Sequence, residues 1–290
     1  MINNYIDYIC CPNCKEDLIE SNNFLFCKKC NFNFEIRNNI PILIDKSSLS
    51  EHLLHQIEYF DNEIKSRDNY KLEEWQASYL ERFNSNFGNI NNSLILDCGT
   101  GSGYMCIELA KKGANVIACD LTYNNLYKLK LVAKDLNLLD RIIFVCCSAE
   151  DLPFKKSIFD YIILNAVLEH LYRESIAIYE VSRICKNFGG LMIAVPLLYK
   201  YINPIFLPIN IIHDRKIGHL RRYDEIILKD KFKDFEPVKI YYTGHFGKVF
   251  KILVNKFFKL YNNIEIELED KKKDFKKMFA SNIIMFFRKK

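Results

Sequence analysis

The sequence predicts an α/β fold: a doubly wound, mostly parallel sheet with helices on both faces, behind a small cysteine-bearing module. Three observations carry this expectation. From residue 93 onward, short β-rich apolar runs alternate with amphipathic segments. A glycine-rich turn, "DCGTGSG" at 97–103, follows directly on the first of those runs. Ahead of both, "CPNC" (11–14) and "CKKC" (27–30) give two Cys-x2-Cys pairs twelve residues apart.

Length and composition set the bounds. A chain of 290 residues can bury a substantial core and leaves room for one or two domains. With 49% hydrophobic and 27% charged residues, it has the apolar content that a disordered chain lacks. The net charge of +5 is too small to demand nucleic acid as a partner, although it does not oppose an acidic one. Of the eleven cysteines, most of the seven outside the two pairs sit in apolar runs, where free Cys behaves as a small core residue. That usage fits a reducing compartment, and hence the cytoplasm. The start, "MINNYIDYICC", lacks the basic and then apolar regions of a signal peptide. The segment most like a membrane span, "LLYKYINPIFLPINII" (197–212), is interrupted by Lys200, Pro204 and Pro208 and is too short to cross a bilayer.

Residues 1–45 form the first expected unit. Between the cysteine pairs, "KEDLIESNNFLF" suggests two short strands around an Asn22-Asn23 turn. Four thiolates at Cys11, Cys14, Cys27 and Cys30 suit a tetrahedral soft ion, zinc or less often iron. A segment this small cannot hold itself by burial alone, so the metal is expected to be structural. Lys15, Lys28 and Lys29 stand beside the ligands and could offset their charge. Together with the following "FNFEIRNNIPILI", residues 5–45 resemble the zinc-ribbon module that activates RNA- and protein-modifying methyltransferases. The resemblance implies a structural or partner-docking role without catalysis, and a protein partner at the ribbon is one option.

Residues 46–90 are rich in Glu, Lys, Asn and aromatics, with apolar positions such as Ile57 and Phe60 at helical spacing; they are expected to form a helical linker. The main domain, 91–290, begins with the strand "SLILDC", a helix at 102–113, the strand "NVIACD", a helix at 122–137 and the strand "RIIFVCC". It continues through the strand "FDYIILN", a helix at 174–187, the strand "GGLMIAVP", the helix "DEIILKDKF" and a final strand "SNIIMFFRK". Two stretches, 197–222 and a helical 246–279, look like insertions. Ligands of such sheets sit at the carboxyl ends of the strands.

The glycine turn narrows the ligand. A dinucleotide site needs Gly-x-Gly-x-x-Gly, but here Gly99, Gly101 and Gly103 alternate, and Tyr104 stands where that third glycine belongs. Asp97 closes the strand just before the turn and would repel a pyrophosphate, whereas it can accept hydrogen bonds from an ammonium group. Asp120 ends the next strand, placed to hold two ribose hydroxyls. A ligand with an ammonium group, a ribose and no phosphate is S-adenosylmethionine.

Taken in order, "LILDCGTGSG", "VIACDLT", "CSAEDLPF", "FDYIILNAVLEHL" and "RICKNFGGLMIAVP" resemble the class I S-adenosylmethionine-dependent methyltransferases, of the ubiquinone/menaquinone-methyltransferase-like type, over residues 93–196. The resemblance implies a Rossmann-like sheet in which Asp97, Gly99, Thr100, Gly101 and Gly103 surround the methionine moiety. Asp120 takes the ribose, Leu121 packs on the adenine, Ala149 meets the adenine edge, and Asn165 lines the pocket through its backbone. The family often has Asp where this chain has Ser148, which leaves Ser148 or Glu150 to meet the adenine amine.

Methyl transfer is an in-line displacement that depends mainly on alignment, with a general base needed only for a protonated acceptor. Two segments offer one. In "NAVLEHL" (165–171), His170 is the nearest base; alternatively, Glu169 and His170 merely orient a short helix. In "HDRKIGHLRRYDE" (213–225), His219 and Arg222 could hold an acidic or phosphate-bearing acceptor; alternatively, the segment is a solvated loop with Asp224 capping the next helix.

The expected acceptor is a small molecule, lipid-linked or glycan-type. The apolar 197–212 stretch suits a lipid-like one, and core packing explains that stretch equally well. "GKVFKILVNKFFKLY" (247–261) forms an amphipathic helix with Lys248, Lys251, Lys256 and Lys259 on one side, which allows peripheral membrane contact. "KKKDFKK" (271–277) has the look of a solvated charge run. An RNA or ribosomal-protein acceptor docked by the ribbon is the competing function, though no basic patch with interleaved aromatics supports it. A cofactor-binding scaffold without catalysis is the third.

Overall fold

The chain is described from a computed structural model that covers residues 4–45, 49–64 and 70–290. Eleven strands among these residues form one continuous sheet. In chain order they are β1 (Ile19–Ser21), β2 (Phe24–Cys27), β3 (Phe32–Arg37), β4 (Ile40–Leu43), β5 (Leu94–Cys98) and β6 (Asn115–Asp120). There follow β7 (Ile142–Cys147), β8 (Phe159–Asn165), β9 (Cys185–Pro196), β10 (Phe235–Thr243) and β11 (Asn282–Lys289). The spatial order is β1-β2-β3-β4-β7-β6-β5-β8-β9-β11-β10.

The centre of the sheet is parallel: β7, β6, β5, β8 and β9 all run the same way. Their sequences are near-continuous apolar runs because helices cover both faces. Every residue of "IIFVCC" in β7 is buried. The helices crossing between these strands are α3 (Tyr104–Lys111), α4 (Tyr123–Asp135) and α5 (Glu174–Ile184). Two apolar cores result, one on each face, and Cys98, Cys119 and Cys147 pack in the first, Cys106 and Cys146 in the second.

The cysteine module is not hung from this sheet by a flexible tether. Its strand β4 pairs in parallel with β7, Ile42 opposite Cys146 and Leu43 opposite Cys147, and so extends the sheet by one strand. Lys15 Nζ lies 2.7 Å from Glu180 Oε2 on α5 and donates to Leu152 O. Instead of offsetting thiolate charge, Lys15 anchors the module.

Two helices, α1 (Glu51–Ile64) and α2 (Glu74–Phe87), follow the module; positions 46–48 and 65–69 of the expected linker lie outside the described residues. The expected helix at 174–187 stops at Ile184, where β9 begins.

Three further elements depart from expectation. β10 was not legible because Pro237 interrupts "FEPVKIYYT"; it is an edge strand, where a missing N–H is tolerated, and its pairing with β11 shifts register between Pro237 and Lys239. In the 197–222 stretch, Pro208 does not break a helix but helps start one, α6 (Leu207–Ile217). After α7 (Glu225–Lys231), the 246–279 stretch divides into α8 (Phe246–Phe258) and α9 (Asn263–Lys271). α8 is turned about relative to the expected arrangement. Two of its lysines face α9, with Lys248 Nζ 2.5 Å from Glu267 Oε2 and Lys251 Nζ 2.6 Å from Glu269 Oε2, while Lys256 and Lys259 are exposed. Phe250, Phe257 and Phe258 are exposed. The 271–277 run is likewise no solvated tail, since its Asp274 receives Arg82 Nη2 at 2.6 Å in a buried ion pair. Among the described residues, no helix is long and apolar enough to cross a membrane.

Candidate active site

A cavity of about 750 Å³ opens at the carboxyl ends of β5, β6, β7 and β8, within the size range of small-molecule and cofactor sites. Helices α1 and α8 and the end of α6 close it from above, through Leu53, Phe60, Lys248, Ile252 and Ile217.

The glycine turn forms one wall. Gly99, Gly101 and Gly103 all have positive φ, of 69°, 51° and 74°. A side chain at Gly99 would strike Val167, and one at Gly103 would strike Leu129, so both glycines are required by packing. Gly101 differs: an added Cβ would meet nothing closer than Gly99 O at 3.9 Å. It is bare toward the cavity, which is the property expected of a cradle for a ligand.

Asp97 lies behind this turn, not in the wall. It is buried, is absent from the cavity lining, and accepts the Thr100 hydroxyl at 2.6 Å. Burial pushes its carboxyl up to about 7, against the pull of the Thr100 hydrogen bond. Asp97 therefore shapes the turn rather than meeting an ammonium group directly. Asp120 does reach the cavity. Its Oδ2 accepts Gly101 N at 2.9 Å and its Oδ1 accepts both the N and the Oγ1 of Thr122, which ties the ends of β5 and β6 together.

Thr100, Leu121, Ser148, Ala149 and Asn165 also line the cavity, and Asn165 Nδ2 donates to Tyr104 Oη at 2.8 Å. Gly103 supports the wall from behind. Glu150 does not take part: its two carboxylate oxygens accept Arg173 N and Arg173 Nε at 2.8 and 2.9 Å. Of the two substitutes considered for the adenine amine, only Ser148 faces the right space.

The opposite wall unites the two histidine segments. Leu220 N donates to Glu169 O at 2.8 Å, and buried Tyr223 donates to Leu168 O, so the 218–223 segment is laced onto the turn at 168–170. His219 is held through Nδ1, 2.9 Å from Asp214 Oδ1, while its Nε2 lies 3.7 Å from Glu169 Oε1. His170 lines the same wall with its Nδ1 buried and unpartnered. Burial, aided by the neighbouring His219 and His52, depresses His170 to about 3. That makes it a neutral and weak base, a poorer proton acceptor than its position suggested. Burial drives the Glu169 carboxyl the other way, up to about 8.

Arg222 is also placed differently from expectation. It grips Asp214 with Nε and Nη2 at 2.6 and 2.8 Å, donates to Leu197 O and stacks on Tyr199, and it does not reach the cavity. It positions Asp214, and through it His219. Trp75, Tyr79, Phe60 and Lys248 also line the cavity and were missed as site residues. Lys248 had a signal, its place on an amphipathic helix, but nothing local shows that this helix turns its lysines inward.

In the cysteine module, Cys11 and Cys30 Sγ are 3.8 Å apart, Cys14 and Cys27 Sγ 3.5 Å, and all four sulfurs lie within 4.8 Å of one another. A tetrahedral ion with bonds of about 2.3 Å spaces its sulfurs about 3.8 Å apart, so the donor set fits.

Residues 96–193 match the family model described as a methyltransferase domain. Over 104 residues the chain is 36% identical to the ubiquinone/menaquinone biosynthesis C-methyltransferase UbiE of Rickettsia prowazekii (strain Madrid E), a match covering 34% of this chain and 42% of that protein. The chain thus spans less than half the length of that relative. Among solved structures, the geranyl diphosphate C-methyltransferase of Streptomyces coelicolor A3(2) superposes with a TM-score of 0.61 at 13% identity, over 83% of this chain and 99% of that one. The [4+2]-cyclase SpnF superposes with a TM-score of 0.56 at 15% identity, over 87% and 99%. At such identities these structures speak for the fold alone. With the sheet order, the bare glycine turn and Asp120, the family match defines a class I S-adenosylmethionine-dependent methyltransferase domain. The matched residues hold the glycine turn, Asp120 and His170, while His219 lies beyond them.

Proposed function

We propose that the chain is an S-adenosylmethionine-dependent methyltransferase acting on a small, apolar, lipid-like acceptor that gives up a proton. The observation that carries the reading is the facing of two walls across one cavity. Gly101 and Asp120 form one, and Glu169, His170 and His219 form the other.

The residues present suit the cofactor. Gly101 leaves its side of the cavity free, and Asp120 offers remaining lone pairs for ribose hydroxyls. When bound, S-adenosylmethionine supplies a methyl group on a sulfonium; the acceptor atom bonds to that carbon while the S–C pair stays on sulfur. The chain's own part is to align the acceptor, exclude water and receive its proton. Asp214 and Arg222 fix His219, and the three lone-pair atoms opposite the glycine turn face the place where an acceptor would sit. An oxygen or acidic carbon needs such a wall.

The lipid-like character is supported by the mouth. Ile205, Ile209 and Ile212 on and before α6, with Phe250, Phe257 and Phe258 on α8, are exposed on the two elements that also line the cavity through His213, Ile217, Lys248 and Ile252. The ring of Phe206 stacks on Phe246 and joins the two elements. An apolar rim of this kind suits an isoprenoid or acyl chain, presented in solution or from a membrane surface. We further propose that Cys11, Cys14, Cys27 and Cys30 hold one structural zinc ion.

The test is incubation of the full chain with radiolabelled cofactor and fractionated lysate. Label in the lipid extract supports the reading, whereas label in RNA or protein replaces it with the docking function. Calorimetric titration with S-adenosylmethionine, wild type against Asp120→Ala, examines the cofactor site separately. Loss of charge-assisted hydrogen bonds of about 1.5–3 kcal/mol each should weaken binding by on the order of a hundredfold. Equal affinity in the two proteins removes Asp120 from the site.

A further inference from the structure

Glu169, His170 and His219 bring three metal-ligating side chains to one spot in the cavity wall. His219 has Nδ1 against Asp214 Oδ1 at 2.9 Å, and its Nε2 is turned toward Glu169. His170 lines the cavity, and its Nδ1 is buried without a partner. Glu169 is 1% exposed, yet its Oε2 has no partner either, while Oε1 stands 3.7 Å from His219 Nε2. The three ligand atoms lie within 4.8 Å of one another.

Unpartnered acceptors converging in a buried wall are costly unless something positive joins them. Among the described residues no basic side chain does so: Arg222 is consumed by Asp214, Leu197 and Asn210, and Lys248 is paired with Glu267.

We propose that Glu169, His170 and His219 bind one divalent transition-metal ion at the acceptor end of the cavity. Two imidazoles and one carboxylate with open positions form a donor set suited to Zn2+, Mn2+, Fe2+ or Co2+. Asp214 plays the part of the carboxylate that orients a ligating histidine and raises its basicity. Bonds of about 2.1 Å imply ligand atoms about 3.4 Å apart, so the ion draws the three side chains slightly inward. The site also accounts for the position of the wall. With an ion bound, an acceptor hydroxyl beside it would ionise more readily, its proton passing to solvent before transfer, so the ion would take over from the three side chains the task of favouring the anion. This deepens the reading of a proton-yielding acceptor and rests on it for the last step only, because metal binding itself needs neither cofactor nor acceptor.

The test uses the full chain with its cysteine module loaded. Mn2+ prefers nitrogen and oxygen to four thiolates, so it reports on this site and not on the module. Titration followed by the electron paramagnetic resonance of free Mn2+ is expected to show one site per chain. Glu169→Gln, nearly the same shape, and His219→Asn should each weaken it by more than tenfold, and Asp214→Asn by roughly tenfold to a hundredfold. S-adenosylhomocysteine binding should persist in Glu169→Gln, which establishes that this variant is folded. Absence of bound Mn2+, Co2+ or Zn2+ beyond the module's share overturns the proposal, as does unchanged Mn2+ affinity in Glu169→Gln and His219→Asn. Failed cofactor binding in the wild type with intact Mn2+ binding would instead strike the methyltransferase reading alone.

Discussion

The rings of His170 and His219 meet edge to face with their centroids 4.7 Å apart, although they come from different crossovers of the sheet. What brings them together is not their own attraction but the lacing beneath them. Tyr223 reaches back to Leu168 and Glu174, Arg221 to Leu171 O, and Leu220 N to Glu169 O. Arg222 completes the arrangement by clamping Asp214, which fixes His219.

A clamp of this kind predicts a stability effect. In Arg222→Lys the point charge of an ammonium cannot reproduce the two-pronged contact with Asp214 or the stacking on Tyr199. Unfolding free energy from urea titration should fall by about 2–4 kcal/mol, somewhat less than full loss of a buried pair because one charge contact survives. Cofactor affinity should change little. A variant of wild-type stability that loses only acceptor turnover would return Arg222 to substrate binding.

The glycine turn predicts a contrast between neighbours. Gly103→Ala places a methyl group against the Leu129 side chain at a φ of 74°, and both strain and overpacking oppose it. Its melting temperature should drop by several degrees, reflecting about 1–3 kcal/mol. Gly101→Ala meets no neighbour and carries only the left-handed backbone penalty of about 1–2 kcal/mol. Its loss should appear in cofactor binding, as a methyl group projecting into the cavity. Paired calorimetry and thermal melts separate the two; a Gly101→Ala protein that binds the cofactor normally would show that the bare face is not a cradle.

Asp97 gives stability a pH dependence of unusual sign. Its folded carboxyl sits at about 7 because of burial, against about 3.9 in an unfolded chain. Between those values the folded state binds more protons than the unfolded one, so this contribution is complete below about pH 4 and is lost as pH rises toward 7. Melting temperatures of the cofactor-free protein should therefore decline from pH 5 to pH 7 through this group. Asp97→Asn keeps an acceptor for the Thr100 hydroxyl and removes the titration, so its profile should be flatter over the same window. Parallel profiles would mean that Asp97 stays ionised.

The sheet was legible wherever one local pattern sufficed. Continuous apolar runs marked β5 to β9, and alternating glycines marked one wall of the cavity. Relationships between distant segments were not. Nothing near Glu150 announces Arg173 as its partner, and nothing near Asp97 tells whether its carboxyl points into the cavity or behind it. An amphipathic helix has two faces, and the pattern of α8 left its lysines free to meet a membrane. The decisive fact, the acids Glu267 and Glu269 on α9, comes from a different helix of the same stretch. Proline misled in both directions, as a helix start at 208 and as an edge-strand residue at 237.

The cysteine module bears on the stability of the whole sheet, because its strand β4 forms a parallel edge with β7 and its Lys15 is paired with Glu180. Removing two ligands should therefore do more than unfold a small appendage. In Cys11→Ser/Cys14→Ser, elemental analysis should find one zinc fewer per chain than in the wild type. Without the ion, β1 to β3 lose most of what holds them, since so small a unit cannot fold on burial alone. β4 then frays from β7, exposing Ile42, Leu43 and the β7 edge. Hydrogen exchange should rise at 142–147 as well as in residues 5–43, and the melting temperature of the main transition should fall. Retained zinc in the double variant would remove Cys11 and Cys14 from the ligand set. Loss of zinc with unaltered protection in β7 would mean that β4 stays paired through its own apolar contacts, and that the module and the sheet fold independently.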